Sequence, residues 1–216
     1  MYAPRRGRTA TSNKAYVARI ARSVVRRSAE TKCFSQTLIV AGTNVSTSWG
    51  YYSALAGLTQ GTSAFTRVGA KIQIVALEFF VQLAPTTANV TDNGASCRMC
   101  IYHNKAAGGQ LPVTNELWDN NAVVTGRAVG YVTKYSILED FMHQMVVYSR
   151  DGTGNYSSGP QLSKMLRVTP HTVVQYGLNG GTISDLPKDD FGFALIADGV
   201  NCCNINVYSK VWFKDA

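Results

Sequence analysis

Several things are scarce in this 216-residue sequence, and each scarcity excludes something. No run approaches 18 apolar residues, so no membrane-spanning helix is expected and no membrane partner is assigned. The first residues lack the apolar stretch of a secretory signal. With five cysteines, an odd number, the sequence reads as a cytosolic or nuclear protein with reduced thiols at Cys33, Cys97, Cys100, Cys202 and Cys203. The sequons at Asn44, Asn89 and Asn155 are then chance. Charged residues are only 16% of the chain, against about 25% in an average domain. A surface so poor in charge suggests burial against other subunits.

Catalytic and metal-binding patterns are scarce too. Cys97-x-x-Cys100 has no second Cys-x-x-Cys, and in a strand positions three apart point to opposite faces. His103, His143 and His171 stand alone, without a His-x-His pair. Glu139-Asp140 and Asp189-Asp190 are adjacent carboxylates, which cannot oppose one another as acid and base. The glycines near Gly152 and Gly154 lack the third glycine and the helix of a phosphate-binding loop. No nucleophile, base and acid fall together. The expectation is a protein that is not an enzyme and holds no metal or cofactor.

What is abundant is positive charge, and it is concentrated. Residues 1–32 carry nine cations, Arg5, Arg6, Arg8, Lys14, Arg19, Arg22, Arg26, Arg27 and Lys32, against one acid, Glu30. That excess equals the net charge of the whole chain, +8, and the 12 cations beyond Lys32 balance 12 acids. The sequence describes a neutral body, 33–216, with a polycationic arm, 1–32. Such an arm calls for a polyanion, and arginine grips phosphate with two parallel hydrogen bonds. Tyr2 and Tyr16 add a weak stacking signal. The clusters Arg5-Arg6-x-Arg8 and Arg26-Arg27 also read as nuclear-import signals, which would engage the import machinery. A mitochondrial transit peptide ranks below these. Within the arm, residues 13–30 have helical period. Asn13 can cap, Val17, Ile20, Ala21 and Val24 share a face, and Arg19, Arg22 and Arg26 take the other. The apolar stripe is narrow, so this helix is marginal alone in water.

Beyond Lys32 the period changes. Eight strands are expected, near 33–41, 71–83, 97–103, 139–149, 162–169, 172–177, 191–197 and 203–213. The last alternates through Ile205 and Val207 and, after a phase change near Tyr208, Val211 and Phe213. Long loops at 42–70, 104–138 and 178–190 should be functional or interface-forming, with a short helix near Asn115–Asn121. The fold class is all-β: an eight-stranded antiparallel jelly-roll sandwich with a basic, partly helical N-terminal arm. Arg67 and Lys71 flank Gly69 before the second strand. Phosphate contact and simple loop or strand-end charges are equal readings of that pair.

Several ordered segments carry a resemblance. They are the basic arm, Gln60-Gly61-Thr62, Arg67-Val68-Gly69-Ala70-Lys71-Ile72, and Arg98-Met99-Cys100-Ile101-Tyr102 with Asn104-Lys105 and Pro112. Phe141 to Tyr148 with Arg150-Asp151 follows, then Tyr208-Ser209-Lys210-Val211-Trp212-Phe213-Lys214-Asp215. Through them nearly the whole chain resembles the capsid proteins of circular, Rep-encoding single-stranded DNA viruses, the circovirus-like group. The resemblance implies a single jelly roll that self-assembles, commonly as a 60-subunit (T=1) icosahedral shell around circular single-stranded DNA. It implies a virion protein, assembled in the host nucleus, whose loops are candidates for a host surface receptor. The arm is shorter than the most Arg-rich of that group. Its helical pattern is similar to that of satellite RNA virus capsids, so RNA packaging stays open. A non-viral nucleic-acid-binding β-barrel and a jelly-roll enzyme or sugar-binding protein are the remaining alternatives. The barrel module would need aromatic and basic residues interleaved on one sheet face, which the neutral body is not expected to show.

Overall fold

The computed structural model describes residues 16–20, 30–85, 95–145, 148–150, 156–157, 162–199 and 203–216. These form eleven strands in chain order: β1 (Lys32–Asn44), β2 (Gly50–Ser53), β3 (Lys71–Pro85), β4 (Ala95–Asn104), β5 (Tyr135–Met145), β6 (Tyr148–Arg150), β7 (Tyr156–Ser157), β8 (Leu162–Val168), β9 (Val173–Gln175), β10 (Asp190–Ala197) and β11 (Cys203–Asp215). One sheet runs β1-β11-β3-β8, with β9 also paired to β3; the second runs β2-β10-β4-β5; β6 and β7 make a separate ribbon. All strand pairs are antiparallel.

The strand count differs from eight, and the reason lies in the lanes. β8 and β9 share one lane beside β3, broken at Pro170 and His171, whose φ is +50°. β2 supplies the missing lane. It is four residues, Gly-Tyr-Tyr-Ser, too short to show alternation and held in place by pairing with β10. Numbered by lane, the two sheets read 1-8-3-6 and 2-7-4-5. These are two interlocked Greek keys, so the chain is a jelly roll.

The main core lies between the sheets and includes Ile74, Phe79, Val81, Met99, Ile101, Phe193, Val207 and Phe213. Phe79 and Phe193 meet across it, ring centroids 5.8 Å apart. β11 alternates strictly, with Ile205, Val207, Ser209, Val211 and Phe213 all inward. The expected phase change does not occur, because the small Ser209 takes the inward place that a hydrophobe would otherwise fill.

β10 is buried at every position. Its sheet is covered on its outer face as well, by loop 105–134. Trp118, Leu117 and Val123 of that loop pack on Trp49, Tyr102 and Ile196 in a second core. Arg98 pins this roof. Its guanidinium pairs two-pronged with Asp140, at 2.9 and 2.6 Å. It also stacks 4.0 Å from the Trp118 ring and donates to the carbonyls of Val123 and Thr125. The expected helix at 115–121 is absent. Those residues form turns and a bridge from Trp118 to Arg127, with Asn115 at φ +72°, outside the helical region. Cys97 faces the inter-sheet core and Cys100 the roofed one, so the two thiols of the Cys-x-x-Cys do not converge.

Asp190 opens β10 without solvent exposure. Oδ1 accepts from Ser53 Oγ at 2.6 Å, while Oδ2 has no partner among the described residues. Burial raises its pKa from 3.8 to about 7. The folded state therefore holds this proton more tightly than the unfolded chain. The stabilisation is complete below pH ~4 and is lost as pH rises to about 7. Asp190→Asn keeps an acceptor for Ser53 and removes the titration. In urea titrations, wild-type stability relative to this variant should fall between pH 4 and 7, and parallel profiles would refute the assignment.

Candidate nucleic-acid interface

The interface is built outward from the root of the arm. β1, at the edge of the five-stranded sheet, starts at Lys32 and pairs with the end of β11, Lys32 opposite Phe213. Lys32 Nζ lies 2.8 Å from Asp215 Oδ2 and 3.1 Å from the Thr66 carbonyl, and its side chain is only 12% exposed. Asp215 Oδ1 accepts from the Val68 amide at 2.9 Å. Lys32 is thus a clamp between the first strand, the last strand and loop 54–70, with its charge matched locally. A hollow of about 440 Å³ beside it is lined by Glu30, Lys32, Thr62, Ser63, Ala64, Val68 and Asp215. With two acids on one lysine, it is not a phosphate cradle.

Arg67 departs furthest from expectation. Its position beside a glycine suggested a phosphate contact, yet the residue is completely buried. The guanidinium donates to the carbonyls of Leu58 (3.4 Å), Gly69 (2.6 Å) and Leu178 (2.5 Å) and stacks 4.1 Å over Tyr176. The three guanidinium nitrogens each reach a different loop carbonyl while the flat face stacks on the tyrosine; an ammonium gathers its three donors on one nitrogen and has no face to stack. Burial raises the Tyr176 hydroxyl pKa, with nearby Asp190 adding to the shift, so the ring stays neutral under the cation. Gly181 completes this corner. Its φ is +72°, and a Cβ there would lie 2.7 Å from the Leu58 carbonyl, so only glycine fits. A guanidinium spent on three backbone oxygens has no route to a phosphate. Its function is to weld loop 54–70 to loop 176–189.

Lys71, two residues past Gly69, is exposed at the start of β3 and remains available to an anion. In the arm, residues 16–20 are helical. Tyr16, Val17 and Ile20 are exposed, and the Arg19 guanidinium lies 5.8 Å from the Tyr16 ring centre. Arg5, Arg6, Arg8, Lys14, Arg22, Arg26 and Arg27, and the rest of the helix expected over 13–30, lie outside the described residues.

Two of the other titratable candidates, His103 and Asp140, have structural partners, while the buried His143 Nε2 has no hydrogen-bond partner among the described residues. His103 Nε2 is 2.9 Å from Asp189 Oδ1, and its ring stacks on Phe191 at 4.3 Å. Burial lowers its pKa against the pull of Asp189. Asp140 belongs to the Arg98 clamp. Among the described residues no group of three or more His, Cys, Asp or Glu side chains converges. The Arg98–Trp118 and Arg67–Tyr176 stacks were not legible in the sequence, because their partners are 20 and 109 positions away.

Arg67→Lys and Arg67→Ala should each lower folding stability, the alanine by ~3 kcal/mol, since buried acceptors lose their donor. The folded variants should bind nucleic acid with wild-type affinity. A variant of unchanged thermal midpoint but weakened binding would restore the phosphate role.

No family model matches the chain, and no curated protein is similar to it. Solved structures with a similar course of chain include that of turnip yellow mosaic virus (15% identity, 87% of this chain and 95% of that one, TM-score 0.36). Tobacco necrosis virus follows (12% identity, 86% and 96%, TM-score 0.38), as does the 60-mer of the BFDV capsid protein (10% identity, 86% and 90%, TM-score 0.28). All three scores are below 0.5, so the functional case rests on this chain's own strand order and charge.

Proposed function

We propose that this chain is the capsid protein of a small virus. Its jelly roll assembles with copies of itself into an icosahedral shell, and its arm gathers single-stranded nucleic acid inside. The observation that carries this reading is the division of charge: a +8 arm on a balanced body that is a complete jelly roll. An enzyme or a sugar-binding protein has no need of that division, whereas a container for a polyanion does.

The surface supports assembly. The loops expose large apolar side chains, among them Phe65 (66%), Val124 (82%), Val129 (78%) and Leu178 (68%). Such side chains find cover in contacts between copies. In the finer form of the proposal the shell has 60 subunits and the cargo is circular single-stranded DNA. Arm cations, with Lys71 on the body, meet the phosphates, and the Arg clusters direct nuclear import. Lys32 and Arg67 serve the fold.

Deleting residues 1–30 should preserve subunit folding, and shells where assembly does not need cargo, while removing most of the nucleic-acid content. Sizing chromatography with the absorbance ratio at 260 and 280 nm reads both. Full-length particles should lose nucleic acid steeply with salt, with a slope of about −6 if eight arm charges engage single strands. Truncated particles still rich in nucleic acid would defeat the arm assignment. A full-length species near 23 kDa that stays small with added single strands would favour the binding-module alternative. Nuclease digestion of the contents separates DNA from RNA.

A further inference from the structure

Among the described residues, a loop roofs one of the two sheets and not the other. Loop 105–134 covers the four-stranded sheet, while the outer face of the five-stranded sheet has no such covering among the described residues. Strict alternation in β11 turns Asn204, Asn206, Tyr208, Lys210, Trp212 and Lys214 to that outer face. Residues paired across strands share a face, so register gives the rows. One row is Thr37, Tyr208, Phe80 and Met165; the next is Ser35, Lys210, Glu78 and Arg167; the third is Cys33, Trp212 and Ala76. Lys214 opposite Gln73, and Lys71 opposite Gln175, continue it.

Aromatic and cationic rows therefore interleave. Phe80 and Tyr208 lie 6.2 Å apart at 52°, and Lys210 Nζ is 5.4 Å from the Phe80 ring centre. Among the described residues, Lys71, Arg167 and Lys210 face one acid, Glu78, which lies 3.6 Å from Arg167 Nε. On a body whose charges balance, this is a local positive excess. It is also the pattern that the neutral composition of the body argued against, because composition averages over faces.

We propose that this sheet face binds single-stranded nucleic acid by base stacking. Tyr208, Phe80 and Trp212 take the bases, and Lys210, Arg167 and Lys71 take the phosphates. The inference rests on the packaging reading and adds a second site to it. Tyr208 and Trp212 are four residues apart on one strand, about 14 Å at 3.4 Å per residue, so they hold separate bases with Lys210 between them. Charge complementarity and continuity argue for this occupant. The edge strand β1 of this same sheet is the direct continuation of the arm, so a strand held by the arm reaches the face without crossing the body.

The test uses the full-length protein with a 30-nucleotide oligo(dT) and an abasic strand of equal length. The paired substitution Tyr208→Ala and Phe80→Ala should weaken oligo(dT) binding ~10-fold or more while leaving abasic binding nearly unchanged. Tyr208→Phe keeps the ring and should bind as wild type. Lys210→Gln should reduce the salt slope by ~0.7. A footprint needs no variant. Cys33 is half-buried on this face whereas Cys97, Cys100 and Cys203 are buried, so oligo(dT) should protect Cys33 from alkylation. Unchanged oligo(dT) affinity in the alanine variant, or unprotected Cys33, would overturn the site while arm-dependent binding upheld packaging. A change in particle size without a change in affinity would also overturn it, assigning the face to a second copy of the chain. Wild type that binds neither strand would instead sink the packaging reading itself.

Discussion

The last strand of this chain lies between its first and its third, and the rest of the structure depends on that insertion. β11 must find β1 on one side and β3 on the other, across up to about 180 residues of sequence. The five-stranded sheet does not close until it does. Lys32 and Asp215 seal the junction where the first and last strands meet. Contacts of such sequence separation are slow to form, since loop-closure entropy is spent before burial rewards it. Once formed, they root the arm at one corner of one sheet.

The two sheets then meet different fates. Loop 105–134 roofs one because Arg98 can satisfy Asp140, two loop carbonyls and the Trp118 face together. That accounts for the uninterrupted burial of β10, whereas β11 on the unroofed sheet alternates. A single arrangement thus explains both the strand that reads as continuous hydrophobe and the strand with a half-exposed outer face. It also leaves the cation-rich, aromatic face beside the arm.

The strands were legible where runs rich in Val, Ile, Phe, Tyr and Thr lay between turn-forming residues, as in β1, β3 and β8, and where alternation ran the length of the strand, as in β11. β2 was not, because four residues carry no period and its partner β10 is far off in sequence. The short helix expected near Asn115–Asn121 had little local support, since four of its seven residues are Asn or Asp, and the segment instead forms turns that bury Trp118. Arg67 and Lys71 looked alike as flanking cations. One is enclosed by three carbonyls and a tyrosine, while the other stands in water.

By itself the sequence determined the segregation of charge and the all-β character of the body. Both are properties of order along the chain: a count of cations in a window, and a two-residue period. Tertiary structure alone decided which cations remain available, which sheet is roofed, and which aromatic residues share a face with lysine. Those depend on register between strands that are remote in sequence, and periodicity gives the face of a residue but never its neighbour across the sheet.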